Sequence, residues 1–178
     1  LAEAPIYPSH GPLDVGVGTT CVYEWNCATL EGTSGEYIRT NDCTLLDAVH
    51  LNGPLSITGR LQKTKITAAA THRHFSITTQ TLTLKYIILA GADISTQTAS
   101  NVVGGAVYIN GAGTLNALSC VFTSNKASTG GAIYAKAGAS INLNLTSVNS
   151  NMATGSGGAI YIENGVSVKL IQGTINSN

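Results

Sequence analysis

Short runs in which apolar and polar residues alternate mark the chain from about residue 55 onward. Examples are Leu55-Ser56-Ile57-Thr58, Thr81-Leu82-Thr83-Leu84, Ser140-Ile141-Asn142-Leu143 and Ser167-Val168-Lys169-Leu170. A period of two predicts strand, and none of the repeats carries the spacing of an amphipathic helix. The runs recur. Gly-Gly-Ala-Val-Tyr stands at 104–108 and Gly-Gly-Ala-Ile-Tyr at 130–134 and 157–161, at intervals of 26 and 27 residues. On that period Leu115, Ile141 and Val168 share a column, as do Ala117, Leu143 and Leu170, and Phe122, Val148 and Ile175. Thr114, Ser140 and Ser167 form a polar column on the opposite side of the strand. A unit of this length, made of strands and turns with like residues recurring, predicts a β-solenoid in which each repeat is one coil and each strand pairs with its equivalents above and below.

Two further columns read as coil-building positions. Asn125, Asn151 and Asn178, each preceded by serine, suit side-chain amides that hydrogen-bond along the stack at a bend. The pairs Gly104-Gly105, Gly130-Gly131 and Gly157-Gly158 supply a bend that a Cβ would obstruct. Upstream, Thr81-Leu82-Thr83-Leu84 falls on Thr114–Ala117, Ile88-Leu89 on Val121-Phe122, and His74–Ile77 on Ala106–Ile109. Lys65-Ile66-Thr67 and Leu55–Thr58 read as strands of the first coils, giving roughly four to five coils in all. Thr44–Leu51 is read as one short helix, with Thr44 as N-cap, Asp47 at the capping-box position and Leu45, Ala48, Val49 and Leu51 on one apolar face, covering the end of the solenoid. The expected division is therefore an extension and disulfide-bearing cap over 1–43 and a β-helix over 44–178, with the clearest repeats at 104–178. Residues 1–20, with Pro5, Pro8 and Pro12, read as an extended arm.

Composition narrows the class. Only 10% of the 178 residues are charged, nine Lys plus Arg against nine Asp plus Glu, where a soluble domain usually has about 25%. No basic cluster is long enough to neutralise a run of phosphates, so nucleic acid is not an expected partner, and no continuous apolar span points to a transmembrane segment. The opening Leu1-Ala2-Glu3 lacks a signal peptide's charged and apolar regions, which fits removal of a signal or a fragment. Cys21, Cys27, Cys43 and Cys120 lack zinc-site spacing and fit disulfides in an oxidising compartment, with three pairings open. Cys120 shares a column with Thr146 and Gly173 and is expected at a turn or surface. Asn144-Leu145-Thr146 is a sequon for N-glycosylation. The chain stops one Gly-Gly-Ala short of another unit, as expected if more coils follow or if the last coil is an assembly surface.

The pairing of Phe122-Thr123-Ser124-Asn125 with Gly130-Gly131-Ala132-Ile133 resembles the repeat of the chlamydial polymorphic outer-membrane proteins and related β-helix proteins. The resemblance covers 104–178 well and extends more weakly to 44–178; Val148 and Ile175 depart from its phenylalanine. It implies an all-β fold, a right-handed parallel β-helix, in a secreted or surface-displayed passenger that adheres or assembles. It implies no catalytic residues and no cofactor.

Other functions need residues that are scarce here. Polysaccharide lyases, epimerases and hydrolases need grouped carboxylates, yet only Asp93 and Glu163 lie beyond residue 90, in unrelated columns. Lys136 and Glu163, on neighbouring columns, read as a surface pair. His72-Arg73-His74 would present two imidazoles for a metal, but with no third ligand it reads better as a lead-in to the Phe75–Ile77 strand. An ice-binding solenoid would need a flat hydroxyl array; Thr81, Thr114, Ser140 and Ser167 supply one column, but Thr83, Asn116, Asn142 and Lys169 break the next, and a carbohydrate-binding solenoid is the other binding alternative. The expectation is an extracellular structural protein, surface-displayed or filament-forming, whose partners are further copies of itself or other surface proteins and glycans.

Overall fold

In a computed structural model, which describes residues 23–27, 33–69, 71–97 and 102–178, the alternating runs are the rungs of a parallel β-solenoid. Sheet one stacks β1 (Tyr23–Glu24), β2 (Gly35–Ile38), β5 (Leu55–Thr58), β8 (Thr81–Lys85), β11 (Thr114–Leu118), β15 (Ser140–Asn144) and β19 (Ser167–Ile171). Sheet two stacks β3 (Cys43–Leu45), β6 (Thr64–Ala68), β9 (Ile87–Ala90), β12 (Val121–Thr123), β16 (Ser147–Asn149) and β20 (Thr174–Asn176). Sheet three stacks β4 (Val49–His50), β7 (Phe75–Ile77), β10 (Val107–Ile109), β14 (Ile133–Ala135) and β18 (Ile160–Ile162). A small fourth ladder pairs β13 (Lys126–Ala127) with β17 (Met152–Ala153). All these pairings are parallel, so each strand adds one rung, and one coil passes through sheets three, one and two in turn.

The register follows the columns of the sequence. Leu82, Leu115 and Ile141 lie on adjacent rungs and are fully buried, and Leu89, Phe122 and Val148 do the same in sheet two. Their neighbours along each strand point outward, so the period of two is the inside–outside alternation of the coil. Each fully buried aliphatic or aromatic side chain contributes roughly 1.5–3 kcal/mol, and like stacks on like along the interior. The stack is taller than four to five coils. Sheet one alone has seven rungs among the described residues, about 29 Å at the ~4.8 Å spacing of paired strands. The early rungs are missing from the repeat count because Gly35–Ile38 carries none of the later motif.

The helix expected over Thr44–Leu51 is not formed. The segment is β3, a short corner and β4. Leu45 and Val49 sit four apart and both point inward, which imitates a helical face, but a strand, a bend and a second strand produce the same spacing. Leu46 is left outside, at 62% exposure. The Val49 and Leu51 N–H groups donate to the His74 and Ser76 carbonyls on the next rung, so the backbone is committed to the ladder. Thr44 meets the Thr67 hydroxyl at 2.7 Å instead of capping a helix, and Asp47 Oδ1 accepts from its neighbour Ala48 N–H. The ladder reaches back past residue 44 to β1 and β2. Beside β1, Trp25 is fully buried with its ring centroid 5.9 Å from that of Phe75. The arm expected over 1–20 lies outside the described residues.

Corners are built with left-handed residues. Tyr86, Ser119, Leu145 and Gln172 occupy the same corner between sheets one and two on successive coils, with φ between 49° and 55°. That conformation costs a non-glycine residue roughly 1–2 kcal/mol, and its recurrence shows that the coil geometry imposes it. At the bend before sheet three the coils approach so closely that a Cβ on Gly131 would collide with the Gly158 carbonyl oxygen. A Gly131→Ala substitution is accordingly expected to lower the unfolding free energy by about 1–3 kcal/mol in urea titration; parental stability would contradict the close approach.

Candidate functional site

The asparagine column lies inside the bend after sheet two. Ser124, Ser150 and Ser177 are left-handed, and each turns the following asparagine inward. Asn125 Nδ2 donates to the Leu89 carbonyl at 3.1 Å and to Asn151 Oδ1 at 3.0 Å, while Asn125 Oδ1 accepts from Ala92 N–H. Asn151 repeats the pattern one coil on, donating to the Phe122 carbonyl and to Asn178 Oδ1. Asn125 and Asn151 are buried, so these amides satisfy backbone groups that water does not reach. The paired glycines pass backbone bonds between coils, with Gly105 N–H donating to the Gly130 carbonyl and Gly131 N–H to that of Gly157; Gly104 and Gly158 complete the column.

The cysteines divide. Cys27 and Cys43 form a disulfide, joining the segment after β1 to β3. Cys21 lies outside the described residues. Cys120 does follow a corner, yet it is 1% exposed, not at the surface, and its thiol is free. The left-handed Ser119 turns it into the core, where its Sγ lies 3.4 Å from the Leu84 and Leu118 carbonyls and burial pushes its pKa up to about 11. It is therefore enclosed in the core. Its column neighbour Thr146 is equally buried, with its hydroxyl near the Ala117 and Asn144 carbonyls and accepting from Cys120 N–H. Asn144, the sequon asparagine, closes β15 and is half-buried.

The two imidazoles of His72 and His74 diverge. His74 is fully buried, with Nε2 3.0 Å from the Ile66 carbonyl. Burial pushes its pKa down to about 4 against the smaller upward pull of the Ile66 and Ala90 carbonyls, so the ring is neutral. His72 faces outward and places Nδ1 3.0 Å from Asp47 Oδ1. Among the described residues no group of three or more His, Cys, Asp or Glu is placed to hold a metal ion. Glu163 finds its partners in Tyr134, whose hydroxyl donates at 2.8 Å, and Ala137 N–H, which together hold its carboxyl below the usual range; Lys136 adds a weaker pull. Asp93 lies 3.6 Å from Lys126 Nζ, far along the chain from Glu163.

The outer face of sheet three carries an aromatic column that sequence reasoning passed over. Tyr108, Tyr134 and Tyr161 occupy one register, with ring centroids 5.8 and 5.1 Å apart. They are the last residues of the three repeated pentapeptides, so the signal was present. The guanidinium of Arg73 caps the first ring, 4.9 Å from its centroid. One rung further the register continues as Ser76 and His50. The column thus loses its ring at Ser76, and a cleft of about 350 Å³ opens there.

These features define the class: a parallel β-solenoid repeat protein, with its polar columns bonded from coil to coil. Residues 119–136 and 146–163 match the Chlamydia polymorphic membrane protein repeat. The match covers well under half of the chain and is a similarity to that repeat. No curated protein and no solved structure matches. Among the described residues no helix is long and apolar enough to cross a membrane.

Proposed function

We propose that this is an extracellular structural protein, displayed on a surface or built into a filament, that acts by adhesion or self-assembly without catalysis. The observation that carries this reading is how the repeated polar side chains are used. Asn125, Asn151 and Asn178 bond to one another, Asn142 to Asn116, Thr44 to Thr67, and Ser147 to Thr174. Side chains engaged along the stack build a scaffold, whereas a hydrolase needs an acid and a base flanking one bond. The Cys27–Cys43 disulfide supports an oxidising compartment, and the similarity to a surface-protein repeat supports display. Near-zero formal charge leaves little long-range repulsion against association.

Immunogold labelling of intact, unpermeabilised source cells tests the location. Gold on the outer surface or on regular polymers is expected. Gold confined to the cell interior would overturn the reading.

A further inference from the structure

At the corner between sheets one and two, β5 leads into β6 through residues 59–63, whereas one or two residues suffice at the same corner on the later coils. The longer connection is an ordered turn. Gly59 N–H donates to the Lys85 carbonyl at 2.7 Å, Arg60 N–H to Thr64 Oγ1 at 3.2 Å, and Lys63 N–H to the Arg60 carbonyl at 2.8 Å. Thr64 is buried, and its hydroxyl donates in turn to the Arg39 carbonyl, which ties the base of the turn to the preceding coil. A Cβ on Gly59 would lie 2.3 Å from the Tyr86 carbonyl oxygen, so the turn leaves the wall in direct contact with the coil that follows. At its tip Leu61 is 77% exposed, the most of any large apolar side chain among the described residues.

The charge around that tip is one-sided. Arg60 and Lys63 flank Leu61 within the turn, Lys65 points outward from β6, and Lys85 ends β8 in register with Thr58, where the turn begins. Four of the chain's nine Lys and Arg residues therefore gather at one corner of a protein that is only 10% charged. Among the described residues none of these four is ion-paired; the ion pairs use Arg39, His72 and Lys126. Asp42 approaches through the backbone, its Oδ1 accepting the Lys65 N–H at 2.8 Å, and offsets one charge of the four. Half-buried Tyr86 and Ile88 continue the apolar surface on the next coil, with Ile88 in register with Lys65.

An exposed leucine ringed by cations suits a surface that is negative on top and apolar beneath, as a bilayer with anionic headgroups is. A soluble polyanion would use the cations alone and leave Leu61 in water. We propose that the turn over residues 59–63 docks the solenoid on an anionic lipid membrane, with Leu61 entering the acyl boundary and Arg60, Lys63, Lys65 and Lys85 meeting the headgroup phosphates. The wall of the solenoid stays outside, so the turn anchors the protein without crossing the bilayer. This goes beyond the adhesive reading and fails separately from it: a surface protein that ignores lipid would still show gold at the cell surface.

The test is co-sedimentation of the full chain with lipid vesicles at physiological salt. One set contains equal parts of phosphatidylglycerol and phosphatidylcholine, and the other phosphatidylcholine alone. Half-saturation of the anionic vesicles at about 0.1–1 mM accessible lipid is expected from four cations and one partly inserted leucine. Phosphatidylcholine alone should bind at least about tenfold more weakly, because the cations then have no net charge to meet. Lys85→Gln removes one of the four charges and should weaken anionic binding about fivefold. Leu61→Ser should weaken it about tenfold. Both side chains are exposed, so both variants should keep the parental circular dichroism spectrum. Absence of binding to the anionic vesicles, equal binding to phosphatidylcholine alone, or parental binding by either folded variant would each overturn the proposal.

Discussion

Replacing Asn125 with alanine is expected to lower the unfolding free energy by about 2–6 kcal/mol, because two buried backbone groups lose their partners at roughly 1–3 kcal/mol each. Those groups are the Leu89 carbonyl and the Ala92 N–H. Neither is bonded by Asn125 through shape alone: the amide donates to one and accepts from the other. Asn125→Asp therefore makes a sharp companion, since its carboxylate would face the Leu89 carbonyl and Asn151 Oδ1 with nothing to donate. It should be at least as damaging at neutral pH. The control is Asn142→Ala on the outer face of sheet one, where the bond to Asn116 is partly exposed and water replaces it, so the loss should stay near 1 kcal/mol or less. Equilibrium urea unfolding of the three variants checks this. An Asn125→Ala protein that loses no more than Asn142→Ala would remove the ladder from the list of forces that hold the coils together.

The second large effect is acid sensitivity centred on His74. Its folded pKa of about 4 lies below the ordinary value of 6.5, so the folded state resists protonation more than the unfolded chain does. The stabilisation is complete above about pH 6.5 and is lost progressively as pH falls toward 4. A shift of that size corresponds to roughly 3 kcal/mol over the window. The same position on the later coils is Ala106, Ala132 and Ala159, so His74→Ala places the column's own residue there. The variant is compared by slope, which a constant packing loss does not alter. Unfolding free energies measured between pH 7 and 4.5 should fall in the parent and change much less in His74→Ala. Equal slopes would show that the ring is not held neutral in the core.

What the sequence disclosed follows from what repeats. The columns of Leu115, Ile141 and Phe122 were legible because a strand that must pair with its own equivalent makes inward positions recur at the coil length. The asparagine column could be picked from spacing, but its donors and acceptors lie in the backbone of the preceding coil and have no sequence signature. Thr44–Leu51 misled because a strand, corner and strand place Leu45 and Val49 four residues apart, as a helix does. Cys120 misled for a related reason. Polar or small residues in its column suggested solvent, whereas Thr146 is there to bond the buried corner carbonyls. The cleft was hidden in a different way: it arises where the tyrosine register meets Ser76 in a degenerate early coil, so it is visible only after the register is known.

The reading of the molecule as a binding scaffold without catalysis meets its most direct test in one measurement. Beads coated with the folded protein are placed on cell monolayers and on acidic polysaccharide films, and retained beads and newly released reducing ends are counted together. Beads that attach to a surface or cluster with one another, with no reducing ends above the uncoated control, are expected. Steady release of reducing ends, or folded protein that neither attaches nor clusters, would contradict it.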